Sequence, residues 1–290
     1  MKAFTLLTVL LGLSIANCAE TGQDRTRVPL FLAGSDVSEP VISLSDIPVQ
    51  IDRADLAFGP LYICAGANAG DLCDTARVEW LGTSIIDTTN AEPTQAGELV
   101  GVTGTVRSWM YDLAISSQLT RMDPYVLDAA SELGGASLVL EGRADVDGLV
   151  IPFTASVPIQ QTDDTELGVP VVRKSTSDQL LHDVLPGESG LLVRFDPAVW
   201  VRGIDFGVYV SSDPCTENGP STVCDREYEL SCDNDIERSR RDCSALGQVC
   251  LPDQGCSERL RIEDNTSAYR SIRNALTSGE RPTFNWGYAP

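Results

Sequence analysis

Histidine is nearly absent from this chain: His182 is the only one among 290 residues. Hydrolysis by a serine or cysteine nucleophile needs a base beside it, and histidine is the usual one. That chemistry therefore has one place to sit. No Gly-x-Ser-x-Gly elbow accompanies it, and Gly187-Glu188-Ser189-Gly190 reads as a turn. His182, within Leu180-Leu181-His182-Asp183-Val184, reads as a structural or exposed side chain. A zinc-protease signature, a phosphate loop and a dinucleotide fingerprint are missing as well. There is no C-x-x-C pair and there are only 3 methionines, which argues against zinc, copper and haem. No metal ligand set and no cofactor is expected.

Lysine is scarce too. Lys2 and Lys174 are the only two, so nearly all the positive charge is arginine. Against 21 Lys and Arg stand 42 Asp and Glu, for a formal net charge of −21. Such a balance repels nucleic acid and anionic headgroups. Partners are expected to be cationic, neutral or bridged by calcium, with no nucleic acid among them. Beyond its first apolar stretch the chain has no run approaching the ~20 residues a membrane span needs.

What is present begins with Cys18. Met1-Lys2 supplies a positive start, an apolar stretch follows, and Leu13-Ser14-Ile15-Ala16-Asn17 leads into the cysteine. That is the layout of an export signal. A cysteine at the junction gives it the form of a bacterial lipoprotein signal, in which Cys18 is acylated and becomes the N-terminus. Ile15 and Ala16 suit the pattern, and Asn17 departs from the usual small residue. The alternative is an ordinary leader cut near Ala19. Several acyl chains give stable anchoring where one is marginal. Ala19 rather than Asp after the cysteine leans the sorting toward the outer membrane. Cleavage removes Lys2 and no acid, taking the charge from −21 to −22.

Eight cysteines remain after Cys18: Cys64, Cys73, Cys215, Cys224, Cys232, Cys243, Cys250 and Cys256. An even number in an exported chain reads as four disulfides. Cys64 with Cys73, and Cys215 with Cys224, enclose loops of the same length, each after a strand-like run beginning Phe-Gly, at Phe58-Gly59 and Phe206-Gly207. Local pairing of each is the simplest scheme. The last four allow three pairings, of which the interleaved one, Cys232 with Cys250 and Cys243 with Cys256, is favoured.

Segments 28–33, 49–64, 77–87, 99–114, 136–145 and 149–159 are rich in Val, Ile, Leu and Thr, and several alternate apolar with polar. Asp147-Gly148 between two such runs is a hairpin signal, because both residues tolerate positive φ. The pattern predicts a mainly β protein, an antiparallel β-sandwich with one or two short helices and a disulfide-rich insertion. Residues 160–189 read as a solvated loop. Asp196-Pro197 should start a short helix over 197–202, closed by Gly203, and 267–277 a second, capped by Thr266 or Ser267. The division is 1–17 signal, 18–27 lipidated tether, 28–211 plus 258–290 sandwich, and 212–257 cysteine-rich insertion with too few apolar residues for its own core.

Other chemistry stays open at lower weight. Asp163-Asp164-Thr165-Glu166 and Asp233-Asn234-Asp235-Ile236-Glu237 offer carboxylates to calcium but lack the EF-hand glycine and distal glutamate. Trp80, Trp109, Trp200 and Trp286 could form a sugar-stacking platform or, as is more usual, lie in the core. A carboxylate pair of the glycosidase type cannot be picked from so many acids.

Gly59-Pro60-Leu61-Tyr62-Ile63-Cys64, Val106-Arg107-Ser108-Trp109-Met110-Tyr111-Asp112, Phe195-Asp196-Pro197-Ala198 and Pro282-Thr283-Phe284-Asn285-Trp286 resemble stretches of lipoproteins from myxobacteria and related deltaproteobacteria. The stretch from Asp242 to Cys250, with Gly255-Cys256, is similar to small cysteine-rich modules of secreted myxobacterial proteins. The resemblance implies location and architecture and carries over no site. The reading that results is a non-catalytic binding or structural component of the bacterial envelope. It would be lipid-anchored at the outer membrane, with an envelope protein or polysaccharide as partner. The alternative is an anchored or secreted hydrolase acting on extracellular polymers.

Overall fold

The computed structural model describes residues 24–66, 76–116, 125–159, 181–209, 249–251, 255–277 and 282–290. In chain order the strands are β1 (Arg25–Ala33), β2 (Val41–Ile42), β3 (Pro48–Phe58), β4 (Leu61–Cys64), β5 (Ala76–Trp80), β6 (Ser84–Asp87), β7 (Thr94–Val102), β8 (Gly104–Val106), β9 (Ser108–Tyr111), β10 (Ile115–Ser116) and β11 (Tyr125–Val126). After helix α1 (Asp128–Glu132) come β12 (Leu138–Val146), β13 (Leu149–Val157), β14 (His182–Val184) and β15 (Leu191–Arg194). Helix α2 (Ala198–Val201), β16 (Val249–Leu251), β17 (Gly255–Ser257), β18 (Leu260–Ile262), helix α3 (Ser267–Thr277) and β19 (Thr283–Trp286) complete the order.

The strands form a β-sandwich. One sheet runs β19-β15-β1-β7-β5-β4-β9, and the other β18-β13-β12-β3-β2 with β6 also on β3. Alternation decides which face is inward. Along β12, Leu138, Leu140, Ala144 and Val146 are buried while Arg143 and Asp145 are exposed. Gly142 holds the remaining inward position at a register shift against β3, where a Cβ would collide with the Gln50 carbonyl. Phe58, Trp109, Phe153, Phe206 and the aliphatic residues of both sheets make one continuous core. Asp147 and Gly148 have φ of 53° and 84°, and Val146 pairs with Leu149, so the Asp-Gly hairpin forms as its residues require.

The sheet of seven curls until its two edges meet through side chains. Trp109 on β9 stacks on Phe284 on β19 with ring centroids 5.0 Å apart, and on Tyr111 at 5.2 Å. Aromatic contacts of this kind contribute about 0.5–1.5 kcal/mol beyond area burial.

Both expected helices are present. Asp196 Oδ1 accepts the Ala198 N–H at the head of α2, although α2 itself is only four residues long. The Thr266 hydroxyl accepts the Tyr269 N–H, so Thr266 rather than Ser267 caps α3. Tyr269, Ile272 and Leu276 lie on the buried face of α3.

Three expectations need correction. The runs 49–64 and 77–87 are each two strands in different sheets. Gly59, at φ 105°, turns the chain from β3 into β4. Phe206–Tyr209 is a 3-10 helix rather than a strand, so the two Phe-Gly runs are not structural echoes. The polar segment 160–189 is not all loop: β14 lies inside it and pairs with β8. Residues 160–180 of that segment, and most of 212–257, lie outside the described residues. In what is described, β16 and β17 set Cys250 directly opposite Cys256. The favoured pairing sends those two cysteines to different partners.

Candidate functional site

The single histidine sits at the seam where the curled sheet closes. β14 pairs with β8, which leads into edge strand β9, and Trp286 ends the opposite edge strand β19. The His182 ring lies flat on Trp286, centroids 4.6 Å apart at 8°. Its Nε2 is 3.0 Å from Glu188 Oε2, the carboxylate being almost buried. Among the described residues the ring hydrogen-bonds a carboxylate and no hydroxyl or thiol. Neither a nucleophile nor a set of three metal-binding side chains assembles around it among the described residues. The arrangement joins two sheet edges, and it gives the structural reading of His182 its physical content. Sequence reasoning left Glu188 in a turn and Trp286 with the core tryptophans, a stacking platform being the lesser alternative. Only a contact across 104 residues of chain relates Trp286 to His182.

Trp80, Trp109 and Trp200 are core residues, which removes the sugar-stacking platform. The two candidate calcium stretches lie outside the described residues, as do Cys18, Cys73, Cys215, Cys224, Cys232 and Cys243. Cys64 is disulfide-bonded at the end of β4.

Several ionisable groups elsewhere form a surface ladder. On the outer face of the second sheet, Arg53 bridges Asp55 at 2.6 Å and Glu141 at 3.2 Å, and Arg259 reaches Glu141 at 3.0 Å. Arg143 reaches Asp52 at 2.8 Å. Hydrogen bonds to Asp55 and Asp52 respectively raise the pKa values of Arg53 and Arg143. The Ser38 backbone N–H holds Asp36 below the usual carboxylate value. Burial pushes the phenols of Tyr209 and Tyr269 upward.

An open concavity lies on the outer face of the first sheet, where β1 begins. It has a volume of about 640 Å³ and is lined by Arg25, Arg27, Glu79, Val100, Val102 and Pro186. Register produces this composition. Val28 and Leu99 point inward, so Arg25 and Arg27 point outward beside Val102 and Val100. Arg27 pairs with Glu98 at 2.8 Å. No acid–base pair suited to hydrolysis converges here.

No protein-family model matches the chain, and no curated protein matches it. Among solved structures, MbnP from Methylosinus trichosporium aligns over 92% of this chain and 99% of its own, at 12% identity and a TM-score of 0.36. A likeness at that level carries no argument about fold or role.

Proposed function

We propose that this chain is a cell-envelope lipoprotein, held to the outer membrane by an acylated Cys18. Its sandwich body serves as a binding or structural component without catalytic activity. The observation that carries the reading is the sequence Leu13-Ser14-Ile15-Ala16-Asn17-Cys18 behind Met1-Lys2 and an apolar run. Two features of the body support it. Its only histidine is spent on joining sheet edges, stacked on Trp286 and bonded to Glu188. The concavity on the outer face of the first sheet is lined by Arg25, Arg27, Glu79, Val100, Val102 and Pro186, with no histidine among them. No helix among the described residues is long and apolar enough to cross a membrane.

Metabolic labelling tests it. Radiolabelled palmitate enters the wild-type chain and not Cys18→Ser, and the wild type fractionates with outer membranes. Equal labelling of the two chains would refute the anchor.

A further inference from the structure

Every strand end around the chain's entry point gathers at one end of the body. β1 starts there at Arg25, opposite Val102 at the end of β7. The Thr103 N–H donates to the Asp24 carbonyl. The start of β5 and the end of β4 lie alongside, since Cys64 pairs with both Ala76 and Ser108. β14 crosses this end, and the Thr26 hydroxyl donates to the Leu185 carbonyl. Leu181 and Leu185 flank β14 and are 63% and 59% exposed.

The same end carries arginines. Arg25 and Arg107 are exposed, and Arg77 lies across Gly104. Among the described residues none of the three has a carboxylate within ion-pair distance. The nearby acids are partly committed: Asp183 accepts the Thr105 hydroxyl, Glu188 faces His182 and Glu98 pairs with Arg27. Glu79 and Asp24 remain. In a chain of net charge −21, the described residues of this end are therefore close to balanced, and Arg25 and Arg107 are exposed.

We propose that this end is a docking face for the phospholipid surface that holds the anchor, a step that rests on the lipoprotein reading above. Tether length commits the face to that one occupant. Only six residue steps separate Cys18 from Asp24, at most about 20 Å fully extended. An acylated Cys18 keeps this end, and no other, within reach of the headgroups. Arg25 and Arg107 lie against lipid phosphates, while Leu181 and Leu185 enter the interfacial layer. Arginine suits phosphate because its planar fork of donors matches the oxygen geometry, and small apolar insertions reinforce an existing lipid anchor. The net negative charge of the rest of the body turns it away from the same surface, which fixes orientation.

The other end supplies an internal control. β1 is nine residues long, about 30 Å at strand rise. Beyond its far end the Leu44 N–H meets the Ile204 carbonyl. Ile42, Leu44 and Val208 there are 53%, 52% and 48% exposed, similar to the two leucines. Hydroxyl-radical footprinting of the purified full-length acylated chain, in nanodiscs of phosphatidylethanolamine and phosphatidylglycerol, compares the two ends in one sample. After correction for intrinsic reactivity, oxidation of Leu181 and Leu185 should fall several-fold below that of Ile42, Leu44 and Val208. The double variant Arg25→Glu and Arg107→Glu should restore it. Equal oxidation at both ends, on a chain that carries acyl groups and stays with the discs, overturns the docking face and leaves the anchor standing. Shielding of Ile42, Leu44 and Val208 instead also overturns it. Unchanged shielding in the double variant overturns the role given to the arginines. A chain recovered without acyl groups and off the discs removes the anchor reading, and the docking face with it.

Discussion

Ser137 offers a sharp test of how the sandwich is held together. It is fully buried just before β12. Its hydroxyl donates to the Leu113 carbonyl at 2.8 Å and accepts the Ile159 N–H at 3.0 Å. One oxygen thus joins the segment after β9 to the segment after β13. In Ser137→Ala both backbone groups lose their partner in a place with no solvent, and the space vacated is smaller than a water. Each buried unsatisfied group costs about 1–3 kcal/mol, so the pair should cost about 3 kcal/mol. Thr88→Val is the matched control. Thr88 is equally buried and its hydroxyl donates to the Ala54 carbonyl at 2.6 Å, but the Thr88 N–H already donates to that same carbonyl. Deleting the hydroxyl strands nothing and should cost no more than about 1 kcal/mol. Urea unfolding followed by tryptophan fluorescence reads both. With a slope near 3 kcal/mol/M, Ser137→Ala lowers the midpoint by about 1 M and Thr88→Val by about a third of that. Equal shifts for the two variants would refute the reasoning, because both lose one hydroxyl and only the stranded backbone groups differ.

Burial raises the pKa values of Tyr209 and Tyr269, so both favour the neutral phenol in the folded state. The contribution is intact below the unfolded value near 10.0 and is lost as pH rises through the folded value. Tyr269→Phe should therefore move the midpoint of alkaline unfolding upward, and an unchanged midpoint would remove the phenol from the account. A double-mutant cycle on His182→Ala and Trp286→Ala should give a coupling of about 0.5–1.5 kcal/mol, as for stacked rings. A coupling indistinguishable from zero means the seam is held by other contacts. Thiol titration of the denatured, unreduced mature chain should find no free thiol, and two or more would sink the scheme of four disulfides.

Local signals were legible in the residues, and long-range ones were not. Asp147-Gly148 announces its hairpin because few other dipeptides accept positive φ twice. Thr266 and the spacing of Tyr269, Ile272 and Leu276 announce α3 for a similar local reason. The parallel pairing of β1 with β15, more than 150 residues apart in sequence, has no local marker. β14 escaped notice because three residues in a polar segment carry too little periodicity. Phe206–Tyr209 misled because apolar residues in a short run fit a strand and a 3-10 turn equally well. The seam was invisible for the same reason as the β1–β15 pair: His182 and Trp286 meet only after the sheet has curled.

The central claim is that Cys18 is the acylated N-terminus of the mature protein. Tandem mass spectrometry of the N-terminal tryptic peptide from protein purified out of membranes tests it directly. The account predicts a peptide that begins at Cys18 and ends at Arg25, with fatty-acyl mass on the cysteine. A peptide that begins at Ala19, or one that keeps residues before Cys18, would contradict it.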